Sequence, residues 1–289
     1  MDKKIYTAHQ IVKHPHIMDM DTAAVFDALE TYGVVMFRDC FQDLHTFTSF
    51  VKKHSSKLSL DPGRTIEGGV AQLVDAGMDA VGLHCENGNA PIWPDLTWFY
   101  CQNAPKVGSQ TTLCDGQSVL HDLSAGLAEK FRKKPIRYRR TVPGDKWRRI
   151  VCHYNPSIRH IDDVKFSDLV AIVSSDPGTS VTYHEKDDCV SYAFVVSAIQ
   201  ASVFSDKEAF ANSILGPSFN YEKPVIDFAD GERFAPSLLE EVEEVTARHT
   251  HRVGWQDGDV VMIDNRRVMH GRERIVDSQR TIFNALSYR

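Results

Sequence analysis

Between Trp255 and Arg280 the chain reads WQDGDVVMIDNRRVMHGRERIVDSQR, which carries Asp264, His270 and Arg280 in an order suited to metal chemistry. A polar turn, 256–259, leads into the apolar run Val260 to Ile263, closed by Asp264-Asn265. That is the pattern of a short buried strand and a tight turn, and such a turn aims His270 inward. Ten residues later Arg280 opens the alternating segment RTIFNALSY. An imidazole and a guanidinium can therefore face one cavity from neighbouring strands, as half of a metal site.

The other half is expected upstream, at His84-Cys85-Glu86. Ligands at i and i+2 on an extended segment point to the same side, so an imidazole and a carboxylate can take adjacent positions on one ion. With His270 they form a facial two-histidine, one-carboxylate set, which leaves open positions on non-haem Fe(II) for a bidentate co-substrate and oxygen. A lone HxE is common by chance, and His160-Ile161-Asp162 is a second match of the same form. Context separates the two. HCENGNAPIWPDLTWFYCQNAPKVGSQTTLCDG runs from the first pair through a Pro-containing loop into two β-like segments, and nothing comparable follows His160.

The elements that must position these residues are mostly strands. Residues 21–31, DTAAVFDALET, carry a helix start and apolar spacing of three to four, and Gly33 stops that helix before the strand VVMFRD. A second amphipathic helix is expected over Leu44 to His54. SLDPGRTIEGGVAQLVDAGMDAVG reads as loop and short elements on a site rim. LTWFYCQ, SQTTLCD, IRYRRTV, WRRIVCHY, TSVTYHE and VSYAFVV read as strands, and Gln117 to Phe131 and Leu238 to Arg248 as helices. No internal repeat is visible. The expected fold is mainly β with flanking helices, an α+β chain around a double-stranded β-helix or jelly-roll core. All of 1–289 is expected in one domain, with 1–20 as an N-terminal extension or strand.

Composition narrows the partners. A net charge of -6 argues against a nucleic-acid binder. No apolar run is long enough for a bilayer, and MDKKIYTAHQIVKHPH lacks the hydrophobic segment of a secretory signal. The six cysteines are dispersed without a CxxC pair, as expected of reduced thiols in a cytoplasmic protein. Charge is sharply segregated: Arg132 to Arg149 holds nine Lys or Arg, leaving 24 basic against 38 acidic residues elsewhere. Such a run fits a solvated strand pair on a sheet edge, where cations discourage unwanted pairing. Alternatively Arg148 and Arg149 contribute to a basic wall that attracts an anionic or carrier-protein-bound small-molecule substrate.

The ordered set of motifs from about residue 20 to 289 resembles the TauD/TfdA-like superfamily of Fe(II)- and 2-oxoglutarate-dependent dioxygenases. GVVMFRD resembles the family's entry strand, HCE its HxD/E, and FYCQNAPKVGSQTTLCDG its strand, turn and Thr, with Gly108-Ser109 in place of the usual Gly-Gly. The closing W-x-x-GD-x-V-x-x-DN-x-x-x-x-HGR is the most specific piece. The resemblance implies that His84, Glu86 and His270 ligate iron, that Arg280 clamps the C5 carboxylate of 2-oxoglutarate, and that Thr111, with Thr112 as the rival, adds a hydroxyl. Arg272 and Arg274 are rivals to Arg280, and their closeness to His270 assigns them to its turn. Asp264 and Asn265 are expected to shape that turn, and Trp255 to pack in the core. A Glu within HxE is similar to the clavaminate synthase-like branch, which implies an amino acid or a natural-product intermediate as substrate. A retained carboxylate implies hydroxylation or desaturation rather than halogenation. The implied reaction uses O2 to convert 2-oxoglutarate to succinate and carbon dioxide while a substrate C–H bond is attacked.

Two other classes compete. The same His-Glu-His set could hold zinc in a hydrolase, with water in the open position. A jelly roll could also persist as a binding module without turnover. Neither gives Arg280 a task.

Overall fold

Alternation in the run 260–263 divides the interior in two. Val260 and Met262 pack outward against two helices, whereas Val261 and Ile263 pack inward between two sheets. The same split separates Trp98 and Tyr100 from Phe99 and Cys101, as a period of two requires of a strand buried on both faces. The structure is a computed structural model that describes residues 11–14, 16–61, 64–75, 77–217 and 222–289.

The larger sheet runs Ile11–Val12, Val34–Phe37, Val260–Asp264, Leu96–Asn103, Thr281–Tyr288, Ala71–Leu73 and Ile66–Glu67, with Lys57–Ser59 also paired to Thr281–Tyr288. Its outer face is covered by the helices Thr22–Tyr32 and Leu44–Lys53, through Leu29, Phe47, Phe50 and Val51. Asp21 and Asp43 cap them by accepting from the backbone N–H groups of Ala24 and Thr46, which satisfies donors the first turn leaves unpaired. The shorter sheet runs Thr250–Arg252, Thr111–Asp115, Val268–Arg272 and Val81–His84, antiparallel throughout. The two sheets enclose Phe99, Leu113, Val261, Val268 and Ile282, and this is the expected jelly roll. The described part of the N-terminal segment expected as extension or strand contributes Ile11–Val12, parallel to Val34–Phe37, and residues 1–10 lie outside the described residues.

A third sheet, Thr179–His184, Cys189–Val196, Ile136–Pro143 and Val225–Phe228, is inserted between the jelly-roll strands in sequence. The strand expected at an edge, Ile136–Pro143, lies inside it, paired on both sides. WRRIVCHY, expected as a strand, is part of the helix Gly144–Tyr154. Trp147, Ile150, Val151 and Tyr154 recur at i, i+3, i+4 and i+7, and Asp145 lies in the first turn, so helical spacing overrides the β-branched residues. The helix expected over 117–131 is two, Gly116–Asp122 and Ala125–Lys133, divided where Leu123 is extended and Ser124 caps the second. None of the described helices is long and apolar enough to cross a membrane.

Candidate metal and co-substrate site

The strand Val268–Arg272 sends Val268 between the sheets and Met269 out to the opposite core, so His270 points inward. It sits directly across from His84 in register, their rings 4.3 Å apart, and Phe99 meets it edge-on at 5.1 Å. Gly271 allows the neighbouring strand this close: a Cβ there would lie 2.7 Å from the Val81 carbonyl oxygen. The His84 Nδ1 hydrogen-bonds to the Gly82 carbonyl oxygen, which leaves its Nε2 facing Glu86 at 3.9 Å. The same carboxylate lies 3.3 Å from His270 Nε2.

Glu86 lies beyond the end of the Val81–His84 strand, so strand pleating does not place it. Asn265 does. Its Oδ1 accepts from the Glu86 N–H at 2.8 Å, and its Nδ2 donates to the Glu86 and Pro94 carbonyls at 2.9 and 2.8 Å. Asp264 alone has the expected turn role, accepting from the Arg266 N–H and from Ser202. One end of the His270 motif therefore fixes the backbone of the other ligand pair. Nothing in the local sequence announced this amide clamp.

Burial lowers His84 to about 4, with His270 adding to the effect, so its imidazole is neutral at physiological pH and free to bind a metal. For Glu86 burial pushes the carboxyl up, but the hydrogen bond from His270 and the charges of Arg64 and His84 outweigh it and hold it near about 2. One ligand atom from each of the three residues lies within 4.8 Å of the others, the one such group among the described residues. Donors about 2 Å from a common ion, at right angles, are about 3 Å apart, so a small contraction seats a first-row metal. His160 and Asp162 are exposed on a short 3-10 turn.

Arg280 and Thr111 reach the same cavity, of about 260 Å³. Burial lowers Arg280 to about 10, aided by Arg272, and its Nε has no hydrogen-bond partner among the described residues. A partly buried guanidinium so placed fits a carboxylate of 2-oxoglutarate, which would satisfy the orphaned donor. Thr111 shares the inward parity of Leu113, whereas Thr112 shares that of outward Cys114. Trp255, expected as core, is buried and donates from Nε1 to Thr111 Oγ1 at 3.2 Å, leaving the threonine hydrogen to donate into the cavity. Ser109 has a left-handed backbone, φ 60°, which explains glycine as its usual counterpart. Its hydroxyl accepts from the Val276 and Asp277 N–H groups, pinning the loop that leads to Arg280.

Arg272, expected in the turn, lines the cavity from the strand, its Nη2 donating to the Gly77 and Asp79 carbonyls. Arg274 is exposed. Arg148 and Arg149 do not line the cavity. On a helix their side chains turn away from the cavity: Arg148 pairs with Asp188 at 2.7 Å, and Arg149 is exposed. The basic residue of that segment on the cavity wall is Arg140. His153 lies on the helix rather than in a strand, and His184 ends a strand, bonded to Ser191.

Two sheets closed over a His-Glu-His group with a partly buried arginine beside it define a jelly-roll protein built to hold a metal and an anionic ligand. The chain belongs to the taurine catabolism dioxygenase TauD, TfdA family, whose model matches residues 6–286. A clavaminate synthase-like protein of Arabidopsis thaliana is 20% identical over 224 residues, 71% of this chain and 64% of that protein, so the chain spans about two thirds of its length. The fold is shared with a taurine dioxygenase of Burkholderia xenovorans (16% identity, TM-score 0.63, covering 99% of this chain and 88% of that one). It is also shared with PvcB of Pseudomonas aeruginosa (14% identity, TM-score 0.61, 95% and 82%), an Fe, alpha-ketoglutarate dependent oxygenase from an isonitrile synthetic pathway.

Proposed function

We propose that the protein is an Fe(II)- and 2-oxoglutarate-dependent oxygenase that hydroxylates or desaturates an unactivated C–H bond of a small molecule, an amino acid or natural-product intermediate. The observation that carries this reading is Arg280, a partly buried guanidinium whose buried Nε has no hydrogen-bond partner among the described residues, beside the His84, Glu86 and His270 group. A zinc hydrolase gives that charge no role to offset its desolvation.

Each residue then has a task. His84 and His270 present imidazole nitrogens, and Glu86 an ionised carboxylate, as the three ligands. Arg280 binds the distal carboxylate of 2-oxoglutarate, and Thr111, oriented by Trp255, donates its hydroxyl hydrogen to it. Phe99 packs edge-on against His270 and would help to keep water from a metal held there. Iron and 2-oxoglutarate, when bound, supply oxygen activation coupled to formation of succinate and carbon dioxide. The chain's own contribution is to hold substrate and co-substrate in register. PvcB acts in a synthetic pathway, and a biosynthetic intermediate as substrate is in keeping with that likeness.

The test is anaerobic addition of Fe(II) and 2-oxoglutarate. A visible charge-transfer band that Arg280→Ala weakens far more than Arg274→Ala supports the reading, and a wild-type protein without the band overturns it. A succinate-release screen over amino acids and their derivatives then identifies the substrate.

A further inference from the structure

Past the ligand group the cavity continues into a chamber whose far walls belong to the inserted sheet and its helices. Val142 pairs with Val190 and Arg140 with Tyr192 across two of its strands, and Tyr192 pairs with Val181 on the third. Paired residues share one face of a sheet, so these side chains form a single wall, and all of them line the cavity. The facing side comes from Trp147 and Ile150 of the helix Gly144–Tyr154 and Ile172 of the helix Phe166–Val173. Next to the metal group the lining is ionic, and here it is mainly aliphatic and aromatic, with Arg140 and Glu222 as its charged members. Among these apolar groups the Tyr192 hydroxyl is buried with no hydrogen-bond partner among the described residues, a penalty that a ligand group can relieve.

We propose that the substrate has a bulky apolar body, aromatic or branched aliphatic, seated in this chamber, and a hydrogen-bonding group that meets the Tyr192 hydroxyl. The insert, not the jelly roll, selects it. Removing such a body from water favours binding in proportion to its area. The assignment of the chamber's occupant as the oxidised substrate rests on the oxygenase reading, but its binding preference does not require metal.

The experiment is calorimetric titration of the metal-free protein with N-acetyl-glycinamide, N-acetyl-leucinamide and N-acetyl-phenylalaninamide, which share one polar frame. Affinity is expected to rise about tenfold or more from the glycine to the phenylalanine probe. Ile150→Trp, which fills the chamber, should abolish that preference, and Tyr192→Phe should weaken all three several-fold. A flat series, no binding of any probe, or a preference that survives Ile150→Trp overturns the proposal. Should melting show that Ile150→Trp does not fold, Ile172→Asn, which places an amide on the wall, must shrink the glycine-to-phenylalanine ratio or the proposal falls. A flat series in a protein that still gives the Fe(II)–2-oxoglutarate band defeats this inference alone, whereas absence of the band defeats the oxygenase reading.

Discussion

The short jelly-roll sheet meets the cavity with His84, Thr111, His270 and Arg272, three of them fixed by a carbonyl or an indole N–H, whereas the inserted sheet meets it with Val142, Val181 and Val190. The insert keeps most of its charges on the other side: Arg137 and Arg139 pair outward with Asp227, and Arg148 with Asp188, while Arg140 and Glu222 stay on the cavity side. One wall is thus rigid and polar where it touches ligands, and the other is largely apolar inside and mostly ionic outside. The difference separates two tasks, holding the reacting groups and accepting the substrate, onto elements that can vary independently.

The sharpest way to break this division is at the polar wall. His270→Ala removes one of three ligands and should abolish the charge-transfer band and Fe(II) binding by calorimetry. Because His270 Nδ1 makes no hydrogen bond among the described residues, the metal-free variant should still fold, with a melting temperature close to the parent. A variant that keeps the band would remove His270 from the metal. Next in size is Arg280→Ala, which leaves a buried carboxylate unpaired and should cost about 2–5 kcal/mol of 2-oxoglutarate binding, read as an increase in its Kd or KM. Arg280→Lys should not restore it, since an ammonium cannot make the paired planar bonds. Probe binding in the apolar chamber should be unaffected by either change, and if it fell in parallel the two walls would not be separable.

Much of this was legible in the chain because the jelly-roll strands are short, apolar and strictly alternating. Val260 to Ile263 lies where expected, SQTTLCD is a strand from Thr111 onward, and the parity of Leu113 separates Thr111 from Thr112. His84, Glu86 and His270 converge as their types implied. The insert was misread where two periodicities overlap: WRRIVCHY holds β-branched residues, but Trp147, Ile150, Val151 and Tyr154 repeat at helical spacing. That one misreading carried Arg148 and Arg149 to the wrong side of the wall. Asn265 and Ser109 were missed for another reason, since each acts on backbone far away in sequence. Local pattern carries no signal for such a bond.

Asn265 gives the third test. Asn265→Ala leaves the Glu86 N–H and two carbonyls without their partner, and should lower stability by about 1–3 kcal/mol in denaturant unfolding. Metal affinity should drop about 10–100-fold while 2-oxoglutarate binding to the metal-loaded site changes less. Unchanged Fe(II) affinity would show that Glu86 is placed by something other than this amide.

The smallest effect is expected at the outer face of the insert. Arg148 lies over the Trp147 ring and binds Asp188 through both Nη atoms, at 2.9 and 2.7 Å. Asp188 is exposed, so water and salt screen the pair and its loss should hardly move the melting temperature. Arg148→Ala should also leave the substrate KM unchanged, because no part of the side chain reaches the cavity. A basic wall that gathers an anionic substrate predicts the opposite, a KM that rises and rises most at low ionic strength. Substrate KM measured for this variant at two salt concentrations therefore decides whether the charge on the outside of the insert takes part in substrate capture or only holds the helix against its strand.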